Sequence, residues 1–328
     1  MSIWISNCTA DSMRDAAVKL AHGALVAFPT ETVYGLGADA TNAQAVARIY
    51  EVKGRPADHP LIVHIAGIEY LEQWISNIPE YAIELAREFW PGPMTLILKR
   101  SELAKDFITG GQNTVGVRIP DNILALSLLE AFHKLGGAGI AAPSANRFGR
   151  VSPTNAAAVK EELGDFLADT DLILDGGPSE IGLESTIIDC TSNSPRILRP
   201  GAITIAMIEE VTGLEVSNFR EEQSDSLKQK TIRVSGSLES HYAPKAQVFL
   251  DQPPVNGSGF IALENIKTPD GVIRLAAPVS VEEFARILYS ALREGDHQSL
   301  DSIYLAQPTG DGLAIAIRDR LSRSAKGR

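Results

Sequence analysis

Short apolar runs recur along this chain, and they stop at prolines, glycines or clusters of polar side chains. Ala24–Phe28 ends at Pro29, Val115–Ile119 ends at Pro120, and Gly139–Ala142 ends at Pro143. Leu61–Ile65 starts after Pro60, and Ile197–Leu198 closes on Arg199-Pro200-Gly201. A continuous apolar run this short suits a strand buried on both faces. Between the runs lie stretches with helical spacing, such as Ala45, Val46, Ile49 and Tyr50 within Asn42–Val52. Strands and helices intermixed in this way predict a sheet covered by helices. Further strands are expected at Met94–Leu98, Leu172–Leu174 and Thr186–Asp189. Helices are expected from a cap at Asp11 or Ser12 to about Ala21, and over Pro79–Trp90, Asp121–Leu135 and Ile203–Val211. Ser152 or Thr154 is expected to cap a further helix from Asn155. Met94–Leu98 and Val115–Ile119 have no clear helix between them, so the sheet is expected to be mixed rather than purely parallel.

The chain has 328 residues, with 44% hydrophobic and 22% charged side chains, which suits two globular domains. Composition shifts after Gly213, where Val216–Gly236 is poor in apolar residues and carries the charged run Arg220–Ser226. Residues 1–213 are therefore read as an α/β (mixed α+β) domain with an open, twisted mixed sheet. Residues 214–245 form a linker, and 246–328 a small α/β, Rossmann-like domain. The small domain has strand patterns at Val248–Leu250, Phe260–Leu263, Val272–Leu275 and Ile303–Leu305, and helix patterns at Val281–Arg293 and Leu313–Ser322. Arg318, Arg320, Arg323, Lys326 and Arg328 read as a solvated helix end complementing its dipole.

Net charge −11 sets the surface against broad nucleic-acid binding, while a local cationic pocket remains open to it. Cys8 and Cys190 are too few and too far apart for a disulfide framework or a metal site, and read as structural thiols. Met1–Ala10 has no signal-peptide pattern and no apolar run spans a bilayer, so a cytoplasmic location is expected. There is no G-x-x-x-x-G-K-[ST] loop, no complete dinucleotide fingerprint, no H-E-x-x-H and no G-x-S-x-G elbow.

The stretch Pro29–Ile65 is unusually dense in polar groups beside an apolar core. It begins Pro29-Thr30-Glu31-Thr32-Val33-Tyr34-Gly35 and later carries Lys53-Gly54-Arg55, His59 and His64. Two cations flanking a glycine can neutralise a phosphate, or can be a solvated pair. His64 shares a strand face with Ile62, as a ligand-facing group or a core imidazole. Arg118, inside an apolar strand, needs a carboxylate partner, either internal or from a ligand. Pro143-Ser144-Ala145-Asn146, Ser152-Pro153-Thr154, Glu184-Ser185-Thr186 and Leu198–Gly201 add hydroxyls and a cation near strand ends. Open sheets place ligands at such ends.

These ordered motifs, with His241-Tyr242-Ala243-Pro244, resemble the long, two-domain form of the YrdC-type threonylcarbamoyl-AMP synthases. The resemblance covers essentially the whole chain. It implies a nucleotidyltransferase making threonylcarbamoyl-adenylate and pyrophosphate from L-threonine, bicarbonate or CO₂, and ATP, for threonylcarbamoyl modification of tRNA. It implies threonine contacts at Thr32, His64, Arg118, Ala142 and Ser185. It implies ATP contacts at Arg55, His59, Thr114, Ser144, Ser152, Arg199 and Tyr242, with Lys53 and Arg55 as the candidate catalytic cations. Mg²⁺ is expected to arrive on the ATP phosphates, without side-chain ligands. The adenylate would pass to a tRNA threonylcarbamoyl-transfer complex. One departure is His59, where the family usually has asparagine. An imidazole there is expected to strengthen ATP binding as pH falls from about 7.5 to 6. The alternatives are a carbamoyl-transfer enzyme on the same scaffold, or an RNA-binding module.

Overall fold

A computed structural model describes residues 5–7, 9–218, 232–236 and 241–327. Cys8, the Arg220–Ser226 run, Ser237 and Arg328 lie outside the described residues. One large sheet contains β1 (Ile5–Asn7), β2 (Val26–Phe28), β3 (Gly35–Asp39), β4 (Ile62–His64), β5 (Ile75–Asn77) and β6 (Met94–Arg100). It continues with β7 (Thr114–Arg118), β8 (Ile140–Ala141), β9 (Leu172–Asp175), β10 (Thr186–Asp189), β11 (Arg196–Arg199) and β12 (Ser217–Asn218). The spatial order is β1-β9-β2-β3-β8-β4-β7-β6-β10-β11-β12, with β5 attached to β6. The sheet is mixed: β4 runs parallel to β7, for example, and β6 antiparallel to β7.

The helices of this part are α1 (Ala10–Ala21), α2 (Ala43–Lys53), α3 (Leu71–Trp74), α4 (Glu80–Phe89), α5 (Asp106–Thr109), α6 (Ile123–Lys134), α7 (Ala156–Leu163) and α8 (Ile205–Thr212). Several starts differ from expectation by a residue or two. Thr9, not Asp11 or Ser12, caps α1, and Ser12 closes a capping box with it. Asn155, not Ser152 or Thr154, caps α7, its carboxamide accepting from the Ala158 amide. Ser152 is turned inward and is fully buried. Glycine is required at the end of α2, where Gly54 has φ +61° and a Cβ would lie 2.8 Å from Arg147. β3 carries little β propensity in its sequence Gly-Leu-Gly-Ala-Asp, and only pairing with β2 and β8 makes it a strand.

The C-terminal sheet is wholly parallel, with β13 (Gln247–Leu250), β14 (Gly259–Ile261), β15 (Ile273–Ala276) and β16 (Ser302–Leu305) in the order β13-β16-β14-β15. α9 (Val281–His297) and α10 (Leu313–Ser324) pack against it. Its core does not stop at the domain boundary, because Val33, Val151, Leu183 and Tyr242 pack into the same cluster as Phe284, Leu288 and Leu321. The expected linker is likewise partly absorbed into the first domain. β12 pairs with β11, and Val234 packs against Ile97, Ile187 and Leu198.

The basic C-terminal helix is not the solvated end expected of it. Arg320 is fully buried, and Arg318 donates to the carbonyls of Pro308 and Gly310. Cys190 is buried, and burial pushes its thiol pKa up. Among the described residues no helix is long and apolar enough to cross a membrane.

Candidate active site

A narrow cavity of about 50 Å³ opens where β3, β4, β7 and β8 meet the loop before β10 and the strap of the linker. Thr32, His64, Arg118, Ala142 and Ser185 all line it, although they come from well-separated parts of the chain. Arg55, Ser144, Arg199 and Tyr242 line it as well. Register explains part of this convergence. His64 on β4 pairs with Arg118 on β7, and the same β4 residue pairs with Ile140 on β8. Ile62 also lines the cavity while Val63 turns into the core, as strand alternation requires.

The Arg118 guanidinium finds an internal carboxylate. Its Nη2 pairs with Glu31 Oε1 at 2.5 Å, and its Nε donates to the Gly92 carbonyl at 3.3 Å. Both members of the pair are buried, yet Arg118 still borders the cavity. Glu31 lies outside the set of residues that the motifs mark as ligand-facing. His64 stands beside this cation with its Nδ1 lacking a protein partner among the described residues. Burial first, and then Arg118, push its pKa down to about 3, so it is neutral. Ser185 Oγ lies 2.8 Å from Thr95 Oγ1, and Thr32 Oγ1 lies 2.8 Å from Thr30 Oγ1.

The remaining cations are organised around the linker strap. Arg55 Nη2 donates to the Pro60 carbonyl and to Ser235 Oγ, at 3.0 and 3.1 Å. Arg199 Nη1 donates to the Ser235 carbonyl at 2.9 Å. Its Nε and Nη2 donate to the carbonyl and Oγ of Ser185, at 3.0 and 3.1 Å. Burial pulls the Arg55 pKa down to about 10. The strap itself is pinned from outside, since the Gln112 carboxamide donates to and accepts from the Arg233 backbone. Gly236, with φ +81°, faces Tyr242 so closely that a Cβ would lie 2.2 Å from the tyrosine hydroxyl. Tyr242 also sits at positive φ, and its ring stacks on Tyr289. Buried polar atoms without a partner among the described residues gather on this cavity: Arg55 Nε, His64 Nδ1, His241 Nδ1 and Tyr242 Oη. Such atoms are costly unless a ligand or water completes them, so their clustering marks a binding site.

Four of the residues marked by the motifs do not line this cavity. Lys53 is buried, and its ammonium donates to the backbone carbonyls of Ser144 (2.5 Å) and Asn146. It holds the Pro143–Asn146 loop from behind, and burial pushes its pKa well below the ordinary lysine value. Ser152 donates to Glu184 at 2.6 Å. Thr114 lines a narrow adjoining crevice that also includes Pro60, Arg233 and Ser235. His59 is half-buried with its ring edge-on to Phe148 at 5.3 Å. Burial and Arg55 lower its pKa from 6.5, with Asp58 opposing and Arg233 adding to the effect.

Several residues of the site carry no local signal. Ser235 and Gly236 belong to the strap. Tyr289 and Arg320 come from α9 and α10, where helical spacing alone makes them core or surface positions. Glu184, which lines the cavity, accepts from Ser152, Tyr289 and Arg320. Burial would raise its pKa, but Arg320, Arg199 and the hydrogen bonds from Ser152 and Arg320 hold it at about 2.

Residues 18–201 match the family described as Telomere recombination (Sua5_yciO_yrdC), and residues 203–326 match the one described as Threonylcarbamoyl-AMP synthase, C-terminal domain (Sua5_C). A threonylcarbamoyl-AMP synthase of Pyrococcus abyssi is 42% identical, over 95% of this chain and 94% of that protein. One from Bacillus subtilis is 40% identical, over 95% of this chain and 92% of that protein. The crystal structure of P. abyssi Sua5 complexed with L-threonine superposes with a TM-score of 0.87 at 40% identity, covering 98% of both chains. With both domains matched in order and over nearly their full length, the chain belongs to the threonylcarbamoyl-AMP synthase family.

Proposed function

We propose that this chain joins L-threonine, bicarbonate or CO₂, and ATP into threonylcarbamoyl-AMP, releasing pyrophosphate. The observation that carries this reading is the convergence on one cavity of two unlike sets of residues. Arg118, neutral His64, Thr32 and Ser185 suit a small hydroxy-amino acid, and the buried Arg55 and Arg199 suit phosphates. Threonine's carboxylate suits the donors of Arg118 left by Glu31 and Gly92, which hold its Nη2 and Nε. A neutral imidazole beside it adds no positive charge to repel an amine. The ammonium must lose one proton before it attacks CO₂ and a second as the N–C bond forms, and water or bicarbonate can take both. The nitrogen lone pair then forms the N–C bond of a carbamate. A carbamate oxygen attacks the α-phosphorus as its bond to the bridging oxygen breaks and pyrophosphate departs.

The chain's own contribution is positioning and charge. Arg55 and Arg199 would stabilise the developing negative charge on the phosphates. Each donates one N–H to Ser235 of the strap, and Arg55 Nε is left for a ligand, so phosphates bound here would lie against the strap. Lys53 acts through the Ser144–Asn146 backbone that it holds. Mg²⁺ is assigned to the phosphates. Glu184, the carboxylate on the cavity wall, has both oxygens engaged by protein donors. The adenylate would serve threonylcarbamoyl transfer to tRNA, which places the work in the cytoplasm. An acidic chain of net charge −11 does not need to hold the RNA itself.

The test is pyrophosphate release by the full chain with each substrate omitted in turn. Release is expected only when threonine, bicarbonate and ATP are all present. Tight retention of RNA without such release would favour a binding module instead.

A further inference from the structure

The C-terminal domain holds Glu184, which lines the cavity, chiefly through a buried guanidinium. Arg320 on α10 donates from Nε to Glu184 Oε2 at 2.8 Å. Its Nη2 donates to the Pro200 carbonyl at 2.9 Å and, more weakly, to the Glu184 carbonyl at 3.4 Å. Its Nη1 donates to Asp319 at 2.8 Å. Glu184 immediately precedes Ser185, and Pro200 immediately follows Arg199. A single side chain from the second domain therefore clasps two loops of the first, one carrying a threonine-side hydroxyl and the other an ATP-side cation. Arg199 closes the ring by donating to Ser185. From α9, the Tyr289 hydroxyl reaches both oxygens of Glu184, at 3.2 and 3.0 Å.

A buried charge cluster is an expensive way to hold two domains together, because well-packed apolar side chains would do it without the desolvation cost. Such a cluster is better explained by what it orients. Arginine is the residue that can do so, since its planar fork serves several acceptors at fixed angles and lysine's ammonium does not.

We propose that Arg320 and Tyr289 are positioning residues of the reaction, holding the Glu184–Ser185 and Arg199–Pro200 segments at the spacing where threonine and ATP meet. This rests on the synthase reading above. The C-terminal domain is then part of the active site's frame. The groups facing Glu184 are Ser152 before α7, Tyr289 on α9, Arg320 on α10, Arg199 on β11, and His241 and Tyr242 of the strap, while Asp319 faces Arg320 from behind. Removing Arg320 takes away the carboxylate's nearest counter-charge while leaving it buried, so it should titrate at higher pH.

The experiment compares full-length wild type with Arg320→Met, Arg320→Lys, Tyr289→Phe and the double variant Glu184→Gln/Arg320→Met. Pyrophosphate release is measured against threonine and ATP from about pH 5.5 to 8.5, and threonine binding is measured by calorimetry. Arg320→Met is expected to lose about tenfold or more in kcat/KM, with KM raised for both substrates, because small misplacements are costly in positioned reactions. Arg320→Lys should not restore it. Arg320→Met should also gain an acid limb that the double variant lacks. Wild-type KM values and an unchanged pH profile in both Arg320→Met and Tyr289→Phe would overturn the proposal. If Arg320→Met does not fold, Tyr289→Phe decides, because it removes only a hydroxyl. If wild type releases no pyrophosphate, the synthase reading fails, and an undiminished threonine affinity in Tyr289→Phe would then refute the positioning role separately.

Discussion

The two buried imidazoles at the cavity should make this protein lose stability in mild acid. His64 and His241 are both held at a pKa of about 3, chiefly by burial, with Arg118 acting on the first. In the unfolded chain each returns to about 6.5. Between those values the unfolded state binds more protons, so stability falls as pH drops through 6.5 and goes on falling towards 3. At pH 5 an unfolded imidazole is about 97% protonated and the native one almost entirely neutral, which costs about 2 kcal/mol per histidine. That figure is set by the unfolded pKa, and any native value below about 4 gives nearly the same result. The assay is urea unfolding of wild type and His64→Gln at about pH 7.5 and pH 5. Wild type should lose about 2 kcal/mol more than the variant between the two conditions. The same acid loss in both proteins would show that His64 carries a proton, or a polar partner, in the native state. It would also remove the neutral imidazole from the proposed threonine site.

Three further outcomes follow from the same contacts. Glu31→Gln leaves the buried Arg118 guanidinium without its counter-charge and should destabilise the fold by about 3 to 5 kcal/mol, so an unchanged urea midpoint would refute the pairing. Gly236→Ala combines a positive φ with a Cβ 2.2 Å from the Tyr242 hydroxyl, and should lower pyrophosphate release while leaving the melting temperature within a few degrees of wild type; full activity would mean that the strap need not approach Tyr242. ATP affinity should still be rising as pH falls below about 6.5, because the lowered His59 pKa sets where the rise ends, and His59→Asn should abolish that rise; a rise already complete by about pH 7 would contradict the lowered His59 pKa.

Much of the first domain was legible from short-range pattern. Apolar runs ended by proline or glycine marked β2, β4, β7, β8 and β11, because chain direction and burial are written locally at such ends. β3 was not legible, because Gly35 and Gly37 give it no strand preference and its neighbours alone make it one. The motif residues Thr32, His64, Arg118, Ala142 and Ser185 do converge on one cavity. Lys53, equally conspicuous in sequence, turns instead to the carbonyls of a neighbouring loop. Residue type marked it as an anion-binding group, but direction depends on how α2 seats against that loop.

By itself the sequence determined the mixed sheet, the second α/β domain and the polar segments around the cavity, all of which depend on spacings of a few residues. Tertiary structure decided which charges meet. Glu31 and Arg118 are 87 residues apart and Arg320 and Glu184 are 136 apart, yet each pair is buried in direct contact. No local period specifies such a pair. A charge inside a core must find a partner wherever packing brings one, because leaving it alone costs more than the fold can spare. For that reason a run of arginines that looked like a solvated helix end supplies Arg320 as the buried partner of Glu184, which lines the cavity.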